Sequence, residues 1–260
     1  MKNKQITQNK KIHRFYLPEL EENISTGREI ILENKHLLNQ LLNVFRFKVG
    51  DKFIVFTGNN FDYLLEIASA NKKATFCKII SKKENIQRNN LKINLAFSLL
   101  KKENTELVLQ KCTELGVNKF TPLLSDRTIK VGWNFERENK ILIEATEQSG
   151  FGQIPQLEKS PIKLEKYLEK EIKVLSIEKI RLGINLFVLD FGGISIFDFT
   201  QKIKKENIEN LNIIIGPEGG FSEREKELFK KYNLPIISFG ENTLRGETAA
   251  IAIASILKNL

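Results

Sequence analysis

Nowhere in the chain do eighteen apolar residues follow one another, so no membrane-spanning helix is expected. The first eleven residues, MKNKQITQNKK, are polar and lack the apolar stretch of a secretion signal, which makes the cytoplasm the expected location. Cysteine is scarce. Cys77 and Cys112 are the only two, without a CxxC pair, and His13 and His36 are the only histidines. That excludes a disulfide framework and leaves too few ligands for a structural zinc site, so no metal is expected. Two nucleotide-binding signatures are missing as well: the GxxxxGK(S/T) phosphate loop and the GxGxxG dinucleotide turn.

What is present is enough for a folded protein. The chain has 260 residues, 41% of them hydrophobic, which supports a packed core in one large or two ordinary domains. Lysine and arginine outnumber aspartate and glutamate 41 to 32, and the resulting net charge of +9 favours a polyanionic partner. Residues 1–80 hold 13 of the basic and 8 of the acidic residues, so over half of the excess lies in under a third of the chain.

That basic first third reads as short strands: IHRFYL, GREIILE, KVGDKFIVFTG, FDYLLEIASA and KATFCKIIS, separated by turn residues such as Gly58-Asn59-Asn60. Only KHLLNQLLNVF (35–45) carries helical spacing, and the whole predicts a small β-barrel over 1–80. The polar stretch SKKENIQRNN (81–90) is the expected linker. Beyond it, over 81–260, strands and helices alternate: LKINLAFSLL, then a helix ended by Gly116, NKFTPLLSD, then a helix ended by Gly150, INLFVLDFG, FDFTQKIKKEN, LNIIIG, SEREKELFKKYN, PIISFG and GETAAIAIASILKN. Repeated β–α units predict an α/β domain with a mainly parallel sheet covered on both faces.

Two segments carry the chemistry. In LNIIIGPEGGFSEREKELF a buried strand ends at Gly216-Pro217-Glu218-Gly219-Gly220, and Ser222 with Glu225 forms a capping box for the next helix. In PIISFGENTLRGETAAIAIASIL a strand ends at Gly240, and Thr243-Leu244-Arg245-Gly246-Glu247-Thr248 leads into a helix rich in small residues. Ligands in open α/β sheets bind beyond the carboxyl ends of strands, where glycines let the backbone approach them. Each segment also has a plain structural explanation as a tight turn and a helix cap; their pairing on one sheet edge is the informative part.

GPEGGFS followed by LRGETA resembles the signature of the bacterial 16S ribosomal RNA uridine-N3 methyltransferases, members of the SPOUT superfamily. Further similarity extends over nearly the whole chain, at HRFYL (13–17), KVGD (48–51), QKCTELGV (110–117), TPLLSDRT (121–128) and EATEQSG (144–150). The resemblance implies a C-terminal SPOUT-type domain with a trefoil knot, preceded by a PUA-like barrel used for RNA. It implies a homodimer, with the helix at 247–259 as an interface element, acting on ribosomal RNA of the small subunit without membrane or metal. It also implies S-adenosylmethionine (S-adenosyl-L-methionine) held by Leu189, Ile215, Gly216, Pro217, Glu218, Gly219, Gly220, Phe239, Gly240, Asn242, Thr243, Leu244, Thr248 and Ala249.

Methylating uridine N3 requires removing its proton, which leaves negative charge on the base. Arg245 is the first candidate to stabilise that charge, and Glu247 or Glu218 to take the proton. His13, Arg14, Arg46, Lys101, Lys111 and Arg127 are the candidate RNA contacts, and Phe221 is a stacking aromatic or a core one. The chain departs from the family pattern at Phe151-Gly152-Gln153 and at Gly240-Glu241-Asn242, both times losing positive charge. A methyltransferase for another RNA base and a non-catalytic RNA-binding assembly factor remain the alternatives.

Overall fold

The computed structural model describes residues 12–20, 24–71, 73–86, 91–129, 132–174, 185–206 and 208–260. The polar start at 1–11 and the last part of the expected linker, 87–90, lie outside the described residues. Two compact units emerge: residues 1–86 with 150–153, and residues 87–149 with 154–260. Among the described residues no helix is long and apolar enough to cross a membrane.

The first unit is built on one five-stranded sheet, in the order β1-β3-β4-β5-β2. β1 (Arg14–Tyr16) runs parallel to β3 (Lys52–Phe56); β4 (Phe61–Ser69), β5 (Thr75–Glu84) and β2 (Glu29–Leu32) continue it antiparallel. The period-two alternation that marks these strands sorts Tyr63, Leu65, Ile67, Cys77 and Ile79 onto the buried face, beside Phe15 and Phe53. Burial raises the Cys77 thiol to about 12. The helix Lys35–Asn39 is capped by the Asn34 side chain and continues as a π-helical turn, Gln40–Val44; Leu37, Leu38 and Leu41 cover the core. The expected barrel takes the form of a curled sheet whose end strands, β1 and β2, are not paired with each other among the described residues. β5 runs on to Glu84, so residues 81–84 are strand rather than linker.

The second unit holds a parallel sheet in the order β12-β10-β11-β6-β7-β8, with β9 also paired to β7. Its strands are β6 (Lys92–Ser98), β7 (Lys119–Leu124), β8 (Gln156–Leu157), β9 (Ile162–Lys163), β10 (Leu186–Ser195), β11 (Asn210–Ile215) and β12 (Ile236–Ser238). A strand covered on both faces needs apolar residues throughout, and β11 shows why the isoleucine run is there. Leu211, Ile213 and Ile215 enter one core with the helices Lys102–Glu114, Phe135–Ser149, Ile196–Glu206 and Gly246–Lys258. Ile214 enters the other, with the helices Leu164–Val174 and Glu223–Lys231. After β12, at the sheet edge, the chain turns back: the helix Gly246–Lys258 packs on β6, β11 and the helix Lys102–Glu114.

Candidate functional site

All strands of this sheet run the same way, so their carboxyl ends meet on one edge. A cavity of about 580 Å3 opens there, within the usual range of about 300–1,000 Å3 for small-molecule sites. Four strands contribute to it: Lys101 and Asn104 follow β6, Leu189 to Phe191 belong to β10, Ile215 to Glu218 with Gly220 and Phe221 end β11, and Ile237 to Gly240 end β12. Asn242 to Gly246 and Ala249, from the mouth of the last helix, complete the lining.

Of the residues implied as cofactor contacts, Leu189, Ile215, Gly216, Pro217, Glu218, Gly220, Phe239, Gly240, Asn242, Thr243, Leu244 and Ala249 line the cavity; Gly219 and Thr248 do not. Arg245 lines it, whereas Glu247 sits buried in the first helical turn, with its Oε2 unpartnered among the described residues. Asp190 and Phe191 escaped the sequence reading. They lie where β10 bulges, its pairing with Ile237 passing from Leu189 to Ile194, and a bulge re-aims side chains in a way that strand periodicity does not reveal.

The turn after β11 is fastened from outside. Arg127 Nη1 donates to the Gly219 carbonyl oxygen (2.9 Å), and Asn104 Nδ2 to Glu218 Oε1 (3.1 Å). Ser222 Oγ donates to Asp126 Oδ2 (2.6 Å), while Arg224 grips both Asp126 oxygens (2.9 and 3.2 Å). Glu225, buried, accepts from the backbone N–H of Ser222 (2.8 Å) and of Asp126 (2.9 Å). The capping box that the sequence predicts is thus one half of a clamp whose other half comes from the segment after β7. Hydrogen bonds from Arg224 and Ser222 hold the Asp126 carboxyl below the usual carboxylate range.

The candidate RNA residues are scattered. Arg14 is enclosed: its guanidinium pairs with Asp62 (2.7 Å), lies over the Phe56 ring (4.3 Å to the centroid) and donates to the Phe151 carbonyl oxygen (3.0 Å). The same segment holds Gly150, whose carbonyl oxygen accepts from Asn85 Nδ2 (2.8 Å), and Gly152, where a Cβ would collide with the Asn85 backbone. The Phe151-Gly152-Gln153 stretch is therefore built to dock in the first unit. His13 stacks within a cluster of Phe15, Phe45 and Phe47. Lys111 pairs with Glu114, and Arg46 is exposed. Phe221 is a core aromatic, edge-on to Phe229, with one side on the cavity.

The site's chemistry suits a mixed ligand. Leu189, Ile215, Ile237, Phe239, Leu244 and Ala249 form an apolar cleft for a flat base, the glycine turns bring backbone donors and acceptors to its edge, and Asp190 and Glu218 offer carboxylates to a cationic group. S-adenosylmethionine has these parts, and the residues fit it.

The profile of the RNA methyltransferase domain matches residues 87–258, well over half of the chain. The chain belongs to the RNA methyltransferase family. A second profile, the RNA methyltransferase PUA domain, matches residues 41–80 of the same family member. Among its relatives, the ribosomal RNA small subunit methyltransferase E of Rickettsia conorii is 32% identical over 250 residues, covering 95% of each chain. That of Mesomycoplasma hyopneumoniae is 31% identical over 249 residues, covering 92% of this chain and 96% of its own. A Legionella pneumophila methyltransferase solved with bound S-adenosylmethionine is 29% identical, with a TM-score of 0.80 over 96% of this chain and 98% of that one. The SPOUT-type parallel domain with a PUA-like front end is the architecture of this RNA methyltransferase family chain.

Proposed function

We propose that this chain transfers a methyl group from S-adenosylmethionine to N3 of a uridine in 16S ribosomal RNA of the small subunit. The observation that carries the reading is the cavity at the carboxyl edge of four parallel strands, which holds both a cofactor-sized cleft and a guanidinium, Arg245, at its mouth. S-adenosylmethionine, when bound, supplies an electrophilic methyl carbon on a sulfonium. The protein's task is to align N3 with it, exclude water and stabilise the base once it has lost its proton. Arg245 serves the last purpose, placing positive charge where the uracil oxygens become negative. Of the two carboxylates weighed as proton acceptor, Glu218 lines the cavity and Glu247 does not. Glu218 Oε1 is engaged by Asn104, which leaves Oε2 to take the N3 proton and pass it to solvent. Glu247 reads as a carboxylate that favours its helix start.

The test is methylation of unmodified small-subunit RNA, both free and assembled, followed by mass spectrometry of the nucleosides. N3-methyluridine is the expected product. A different methylated nucleoside overturns the target, and saturable RNA binding without any S-adenosylmethionine binding moves a non-catalytic assembly factor to the front. In the same assay Arg245→Ala is expected to lower kcat about 100-fold while cofactor affinity changes little. Equal losses in both would make Arg245 a cofactor residue.

A further inference from the structure

Lys101, a candidate RNA contact by sequence, lines the methyl-transfer cavity. Its place follows from one packing contact. Leu100 presses on the start of the last helix so closely that a Cβ on Gly246 would lie 2.9 Å from Leu100 Cδ2, and 3.5 Å from the Gly216 carbonyl oxygen. A Cβ at this meeting of three loops would have to push the Leu100 side chain aside. The residue after Leu100 is Lys101, and the residue before Gly246 is Arg245, so the contact brings the two cations to one rim.

Both residues occupy helix N-cap positions, Lys101 for Lys102–Glu114 and Arg245 for Gly246–Lys258, and neither side chain caps its helix. Serine, threonine, aspartate or asparagine is the usual choice there, and a cation is disfavoured by the helix dipole. Two misplaced cations are thus kept beside one cavity. Among the described residues neither side chain has an ion-pair or hydrogen-bond partner. The carboxylates that share the lining are Glu218, engaged by Asn104, and Asp190, which accepts from the Phe191 backbone N–H.

We propose that Lys101 is a second catalytic cation, which acts with Arg245 on the two oxygens flanking N3 of the deprotonated uracil. The inference rests on the uridine-N3 reading above. The proton leaves N3 to Glu218, the N3 electron pair forms the new C–N bond as the methyl C–S bond breaks, and the C–S electron pair stays on sulfur. A negative base and a positive sulfonium both become neutral, so cations beside the base must stabilise the anion without gripping it.

The experiment compares wild type with Lys101→Met, which keeps most of the apolar stem, at a set of pH values and salt concentrations. kcat is expected to fall about 10- to 100-fold at neutral pH. The deficit should shrink as rising pH removes the N3 proton without help. S-adenosylmethionine affinity and the salt dependence of RNA binding should stay as in wild type. An unchanged kcat with a salt slope lower by about one unit makes Lys101 a phosphate contact and overturns the proposal. A loss of cofactor affinity equal to the loss of rate overturns it too, as does a variant with no change at all. An ultraviolet titration of a uridine-containing RNA on the enzyme gives a readout independent of turnover: its N3 pKa should be higher on Lys101→Met than on wild type. The wild-type product nucleoside, read in the same reactions, tells failure of this inference from failure of the uridine reading.

Discussion

The turn after β11 and the turn after β12 border the same cavity, but they are held in opposite ways. The first is clamped by Asp126, Arg127, Asn104 and Glu225, all from outside the turn except the last, which heads its own helix. In the second, Ser238 Oγ bonds Gly240 at both its N–H and its carbonyl oxygen, and among the described residues the side chains of 241–245 make no further hydrogen bond. One wall of the site is fastened by side chains from elsewhere in the unit; the other, which carries Arg245, is held by fewer side-chain hydrogen bonds. Preorganisation is thus greater in the turn after β11 than in the turn after β12, although residues of both line the cavity.

Breaking the clamp tests this division most strongly. Asp126→Ala removes the acceptor of both Ser222 and Arg224 and should weaken S-adenosylmethionine binding about tenfold, read by calorimetry, a loss of about 1.4 kcal/mol. Acid should loosen the same clamp in the unmutated protein. The folded state holds the Asp126 carboxyl below its ordinary range, so its contribution is complete above about pH 4 and fades as pH falls through the lowered value. Arg127→Ala should cost about threefold in cofactor affinity and leave the salt slope of RNA binding unchanged; a slope lower by about one unit would make Arg127 a phosphate contact. Glu241→Ala, in the unfastened turn, should shift stability by no more than about 0.5 kcal/mol in thermal or denaturant unfolding. A larger effect would mean that the second turn is held after all.

Much of the scaffold was legible because its signals are local. Isoleucine runs ending in glycine announce buried strands, and Ser222 with Glu225 announces a helix start three residues away. The clamp was not legible, since Asp126 and Ser222 are 96 positions apart and an exposed aspartate gives no sign of its partner. That Lys101 lines the cavity and Arg127 reaches the Gly219 carbonyl was hidden for the same reason: a sequence shows a charge but not which surface it reaches. The helix Leu164–Val174 was overlooked in a lysine- and glutamate-rich stretch, although Leu164, Tyr167, Leu168 and Ile172 carry its period. The bulge in β10 has no periodic signature, and it hid Asp190 and Phe191.

The docking of residues 150–153 into the first unit has a bearing on synthesis. When a ribosome has finished residue 86, every strand of the curled sheet exists, but the carbonyls of Gly150 and Phe151 that accept from Asn85 and Arg14 do not. Those acceptors follow on the order of seconds later, after two β-strands and two helices of the other unit have been made. The Arg14–Asp62 pair must wait in a half-finished shell. The nascent protein therefore cannot complete its domains in simple N-to-C order, and the first domain to start is not sealed until the second is well under way.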